Sequence, residues 1–224
     1  MIEPQKWVAE ALAGLRGKFG SRLLYLGLQG SYRRGEATES SDIDLVVLLD
    51  QVSLDDLDAY RGLVRSLHEG EKACGFICAA SEFAHWPRHE LFPFKMDTAD
   101  HYGRLEAFMP PIARSDVIQS ARIGASALVH LLTHSYLYAA PEDRPAILKD
   151  SYKAAFFTLQ VVTYLLTGTY FSTKKQLAEN LRNPEKSILS AGLDLNAWLT
   201  EHSEKQAFDL LLTWCRDAMT RDFT

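Results

Sequence analysis

Residues 30–45 read GSYRRGEATESSDIDL. Gly30 permits a tight backbone turn and the close approach of a ligand. Ser31 adds a hydroxyl and an exposed N–H, and a helix starting here would offer its orphan N–H groups to an anion. Arg33 and Arg34 bring positive charge, and Gly35 keeps the loop short. Asp42 and Asp44 lie two residues apart at the start of an apolar run, so on a strand they project from one face. Two adjacent carboxylates repel unless a cation sits between them, and Mg²⁺, with its preference for hard oxygen ligands and nucleotide phosphates, is the usual solution. A phosphate-holding turn beside a paired-carboxylate metal site points to phosphoryl or nucleotidyl transfer.

The flanking sequence supplies the frame for this loop. Apolar positions at Val8, Ala11, Leu12, Leu15 and Phe19 predict a helix over residues 5–19, opened by Pro4 and ended by Gly20. Residues 22–28 (RLLYLGL) and 43–49 (IDLVVLL) predict two buried strands. Ser53 and Asp56 look like a helix cap, followed by an apolar face at Leu57, Tyr60, Val64 and Leu67. Residues 75–80 (GFICAA) predict a third strand, and residues 91–96 a weaker fourth that Pro93 places at an edge. Beyond the Pro-marked linker MPPIARSD (residues 109–116) only helical periodicity remains, near 115–139, 142–167, 173–181 and 204–220. The pattern predicts an α+β protein: a small mixed β-sheet domain over residues 1–110, then an all-α helical bundle over 111–224.

The 224 residues are long enough for one large domain or two small ones. A net charge of -5 argues against broad nucleic-acid binding, which needs a basic footprint, but leaves room for a local anion site. No segment has the ~18 consecutive apolar residues of a membrane span, and the charged N-terminus carries no apolar signal core. Cys74, Cys78 and Cys215 lack metal-site spacing and read as reduced thiols of a cytoplasmic protein.

The run of Gly30, Ser31, Arg34, Gly35, Ser41, Asp42, Ile43, Asp44 and Leu45 resembles the signature of the DNA polymerase beta-like nucleotidyltransferase superfamily. An N-terminal catalytic domain followed by a helical bundle is similar to the aminoglycoside-type nucleotidyltransferases. The resemblance implies that Gly30 and Ser31 hold the triphosphate, with Arg34 at the same site, while Asp42 and Asp44 bind one or two Mg²⁺ as the catalytic carboxylates. It implies an NTP, ATP by frequency, as co-substrate. A nucleoside monophosphate would pass to the hydroxyl of a small-molecule acceptor lying between the two domains, with release of pyrophosphate. No stable nucleic-acid or membrane partner is expected, and because relatives often pair, a homodimer stays open. A lysine of the helical domain often reaches the triphosphate in this superfamily, and Lys153, sharing a face with Lys149, is the first choice here.

One part of the family pattern is missing. A third carboxylate usually stands on a neighbouring strand, and residues 75–80 carry none; the alignment puts Gly75 in its place. Glu71, Glu82 and Asp97 are candidates nearby, and Glu142, Asp143 and Asp150 are candidates in the helical region. A general base contributes ~10²–10⁴-fold. Its loss would leave a slow enzyme, or a nucleotide- or partner-binding module of the same fold. A protein- or RNA-modifying transferase of a toxin–antitoxin system is a further possibility, although the helical region lacks the Arg-(four to six residues)-His motif of the associated RNases. His130, His134 and Tyr138 share a helix face as a substrate-lining or packing set, and Pro87 breaks the helical pairing of His85 with His89.

Overall fold

The computed structural model describes residues 2–223. The chain divides into two compact units, Met1–Pro111 and Ile112–Thr224. The first is a mixed four-stranded sheet with helices, the second is helical, and together they make the protein α+β.

Helix α1 (Pro4–Phe19) starts on Pro4, carries Arg16 and Lys18 in its last turn where they complement the macrodipole, and buries Trp7, Val8, Ala11, Leu15 and Phe19. Strand β1 (Leu23–Gln29) pairs antiparallel with β2 (Ile43–Leu49), setting Leu26 opposite Val47 and Gln29 opposite Asp44. The short helix α2 (Gly30–Arg34) follows β1 directly. Helix α3 (Leu54–Ser66) is held at its start by a reciprocal cap: the Asp56 N–H donates to Ser53 Oγ at 3.2 Å and the Ser53 N–H to Asp56 Oδ2 at 2.9 Å. One sheet face, with Leu26, Leu28, Ile43, Leu45, Val47 and Leu49, packs into a single core with the apolar faces of α1 and α3.

Strand β3 (Ala73–Ala79) pairs parallel to β2, and β4 (Ala99–Tyr102) antiparallel to β1, giving the order β3-β2-β1-β4. Phe76 lies opposite Val46, two residues along from Asp44, and so shares its face. Its ring meets those of Phe83 (6.0 Å), Trp86 (5.1 Å) and Phe94 (5.2 Å), which brings α4 (Ala80–Phe83) and α5 (Arg88–Met96) onto the Asp44 side of the sheet.

The expected strand over residues 91–96 is therefore wrong. The segment is helix α5 with Pro93 inside it, burying Leu91 and Phe92. A short apolar run such as LFPF fits either element by periodicity. The helix wins because it buries Leu91 and Phe92 while setting the Phe94 ring, tilted, against Phe83 at 5.4 Å. The fourth strand lies just beyond this run, and its sequence, ADHY, carries no apolar signal.

Within the second unit, α6 (Arg114–Tyr138) and α7 (Arg144–Thr167) approach closely: a Cβ on Gly124 would stand 2.6 Å from Thr158 Oγ1. Helix α8 spans Lys174–Asn180, and α9 (Glu185–Leu193) and α10 (Leu195–Trp198) fill the stretch left unassigned in the sequence. Helix α11 (Glu204–Thr220) contributes Phe208, Leu211, Trp214 and Cys215 to the core, and the buried Tyr152 hydroxyl donates to the Ala207 carbonyl at 2.8 Å. Gln160, 1% exposed, donates from Nε2 to the Phe171 and Ser172 carbonyls and accepts from the Tyr170 hydroxyl. It ties the turn after α7 to the bundle core, so Tyr170 serves this anchoring network. Among the described residues, no helix is long and apolar enough to cross a membrane.

Candidate active site

The end of β1 hands the chain to Gly30, whose φ is +70°. A Cβ at Gly30 would fall 2.0 Å from Asp44 Oδ2. The glycine is therefore required twice, by its left-handed backbone and by the carboxylate that passes over it. The loop after α2 folds back, with the Glu36 N–H donating to the Ser31 carbonyl at 2.8 Å. A turn at Thr38, whose N–H donates to Ser41 Oγ at 2.9 Å, then leads into Asp42 and β2. Asp42 is exposed and Asp44 half-buried. Burial first, and the Asp42 charge second, push the Asp44 carboxyl above its ordinary pKa, while Arg34 pulls the other way.

Asp97, at the end of α5, joins these residues from far away in the sequence. Gln29 Nε2 donates to the Phe94 carbonyl at 3.1 Å and to Thr98 Oγ1 at 2.6 Å, tying the end of β1 to this junction. The Gly30 N–H donates to Asp97 Oδ2 at 3.3 Å, and Arg34 Nη1 donates to the same oxygen at 2.5 Å. Arg34 Nε donates in turn to Glu36 Oε2 at 3.2 Å. Asp97 Oδ1 is buried without a hydrogen-bond partner. Burial raises the Asp97 carboxyl despite the opposing pull of Arg34, Arg33 and the Gly30 N–H. An orphaned acceptor whose charge also acts on the Asp44 carboxyl marks a place short of a cation or a proton.

The strand that was expected to carry a third acid cannot do so at Gly75. Residue 75 sits inside β3 with φ +123°, and a Cβ there would lie 2.0 Å from the Leu45 carbonyl oxygen. The residue registered beside Asp44 is Cys74. Gly75→Ala is expected to destabilise the N-terminal unit by about 3 kcal/mol or more, read as the urea midpoint at unchanged m-value. Gly75→Asp fares no better and cannot restore the missing carboxylate.

Glu71 is exposed beside β3, and Glu82 caps α4 by accepting the Ala79 N–H at 2.9 Å, so neither joins Asp42 and Asp44. Glu142, Asp143 and Asp150 are exposed in the helical unit, as are Lys149 and Lys153 on α7. His130 and His134 lie on an exposed stretch of α6, their rings 6.2 Å apart, with Tyr138 5.1 Å from His134. Among the described residues, no group of three or more His, Cys, Asp or Glu side chains is placed to hold a metal ion by itself. A cation bound by Asp42 and Asp44 would need oxygens from its ligand, as phosphate-bound Mg²⁺ does.

Comparison with known proteins bears on this constellation. The family model described as nucleotidyltransferase domain matches residues 13–82, the span that contains Gly30, Ser31, Asp42 and Asp44. The match supports the DNA polymerase beta-like nucleotidyltransferase superfamily for this part of the N-terminal unit. Asp97 lies outside the matched span of this domain. Among solved structures, the chain is similar to spectinomycin adenyltransferase AAD(9) from Enterococcus faecialis, determined with ATP and spectinomycin. The likeness has a TM-score of 0.56 at 15% identity and covers 95% of this chain and 99% of that one. At this identity it is a likeness of fold. No curated protein matches the sequence.

Proposed function

We propose that the protein is a Mg²⁺-dependent nucleotidyltransferase that moves a nucleoside monophosphate from an NTP, ATP by frequency, to a hydroxyl of a small-molecule acceptor and releases pyrophosphate. The observation that carries this reading is the convergence of Gly30, Asp42, Asp44 and Asp97, with Asp97 Oδ1 buried and unpartnered and a bare Gly30 Cα against Asp44. The fit to a metal–triphosphate is chemical: hard oxygen donors, a raised Asp44 carboxyl that a cation would relieve, and a side-chain-free Gly30 that lets that carboxylate pass over the turn. Asp42 and Asp44 would hold the metal, which would supply neutralisation of the triphosphate charge and acidification of the acceptor hydroxyl. Gly30 and Ser31 line the triphosphate, Lys153 adds a cation from the helical unit, and Asp97 supplies the third carboxylate that β3 lacks. The neighbouring fold, solved with ATP and spectinomycin, supports a nucleotide paired with a small-molecule acceptor.

The absence of a self-sufficient three-ligand group among the described residues favours a second reading, a nucleotide-binding module with impaired turnover. Incubation with Mg²⁺, each α-labelled NTP and a panel of hydroxylated small molecules separates the two. Label on an acceptor with stoichiometric pyrophosphate supports the transferase. NTP binding with no label transfer to any acceptor in the panel favours the module. No NTP binding defeats both.

A further inference from the structure

Arg33 and Arg34 are consecutive on α2, yet the fold uses them differently. The Arg34 side chain is 9% exposed, and its guanidinium is engaged by Asp97 on one side and Glu36 on the other. Removing Arg34 would leave Asp97 as a buried carboxylate held only by the Gly30 N–H. Arg33 is half-buried and makes no hydrogen bond or ion pair among the described residues. It stands three residues after Gly30 and so lies on the same side of the helical turn as the glycine that faces Asp44. Its positive charge nevertheless reaches Asp97.

The local charge balance leaves Arg33 a clear partner. Asp42, Asp44, Asp97 and Glu36 stand against two guanidinium groups, so the site as folded is acidic and repels a naked triphosphate. A divalent cation on Asp42 and Asp44 removes that repulsion, and Arg33 is then the one guanidinium of the pair not already committed to carboxylates. Its planar fork suits bidentate contact with phosphate oxygens.

Resting on the transferase reading above, we propose that the two arginines divide the work: Arg33 is the guanidinium that binds the triphosphate, and Arg34 is a positioning residue that holds Asp97 against Gly30. The family-based expectation that Arg34 contacts the nucleotide is thereby transferred to its neighbour.

The test is calorimetric titration of the 224-residue chain with Mg·ATP and with AMP, together with melting of the unliganded protein, for the parent, Arg33→Ala, Arg33→Lys, Arg34→Lys, Asp97→Asn and the Arg34→Lys/Asp97→Asn double variant. Loss of one charge-assisted phosphate contact predicts that Arg33→Ala weakens Mg·ATP binding about 10–100-fold. AMP affinity should stay within about twofold, since AMP lacks the β- and γ-phosphates, and the melting temperature should not move. Arg33→Lys should recover part of the loss. Arg34→Lys should lower the melting temperature by about 5 °C, and its effect should be non-additive with Asp97→Asn, as expected for directly bonded partners. Parent-like Mg·ATP affinity in Arg33→Ala overturns the assignment while leaving the transferase reading standing. So does an equal loss for ATP and AMP. A parent that binds no Mg·NTP overturns both.

Discussion

Replacing Asp44 with asparagine should lower nucleotidyl transfer by about 10³-fold or more while raising the melting temperature of the unliganded protein. The first effect follows from removing one of two carboxylates assigned to a metal whose charge stabilisation is worth several kcal/mol. The second follows from the direction of the Asp44 pKa. Burial and the neighbouring Asp42 push that carboxyl above its ordinary value, so the folded state prefers it protonated. Ionising it therefore costs stability. The cost develops as pH rises from the unfolded carboxyl's pKa through the raised folded value, and it is fully present at neutral pH. Asparagine does not ionise and escapes it. The two proteins should melt alike at low pH and diverge towards pH 7, with the variant the more stable. Mg²⁺ with ATP should raise the parent's melting temperature and leave the variant's almost unmoved. A variant that melts below the parent at pH 7 would mean that Asp44 holds the fold together and is not a strained functional group.

Gly30→Ala is expected to be nearly as damaging, by a different route. The new Cβ would stand 2.0 Å from Asp44 Oδ2, so the carboxylate must move. The left-handed backbone at φ +70° adds a cost of about 1–2 kcal/mol for a residue with a side chain. A displacement on the order of 1 Å at a reacting centre costs about 10²-fold. Gly35 supplies the control, because it has the same φ of +70° but nothing within 4 Å of its added Cβ. Gly35→Ala should lose a similar amount of stability and keep most of its activity. If the two variants lose activity equally, backbone strain accounts for the effect and the contact with Asp44 does not.

These two substitutions fall in the part of the site that was legible in the sequence. Gly30, Ser31, Asp42 and Asp44 lie within sixteen consecutive residues, and the strand that follows reads as a buried apolar run. Local spacing therefore carries both chemistry and geometry. The third carboxylate was harder to read because its position depends on register and on contacts distant in sequence. Starting β3 at Ala73 and not at residue 75 moves Cys74, and not Gly75, beside Asp44. Asp97 reaches Gly30 across a separation of 67 residues. The run preceding it reads as a strand because Pro93 and its aromatic neighbours carry no helical periodicity. Only the ring contacts of Phe94 with Phe76 and Phe83 settle that segment as α5 and so set the start of β4. In the helical unit, the long helices were legible from their apolar spacing. The short α9 and α10 were not: α10 spans only four residues, and α9 buries just Ile188, Leu189 and Ala191, too few positions to repeat a helical face.

Gly30, Asp42, Asp44 and Asp97 are proposed to form a metal-dependent triphosphate site. Calorimetric titration of the unliganded protein with ATP, in Mg²⁺ and in excess chelator, tests it most directly. Saturable binding of one nucleotide per chain in Mg²⁺, lost in chelator and lost in Asp42→Asn, is the expected result. Absence of binding under both conditions, or binding of equal strength with and without the metal, would contradict it.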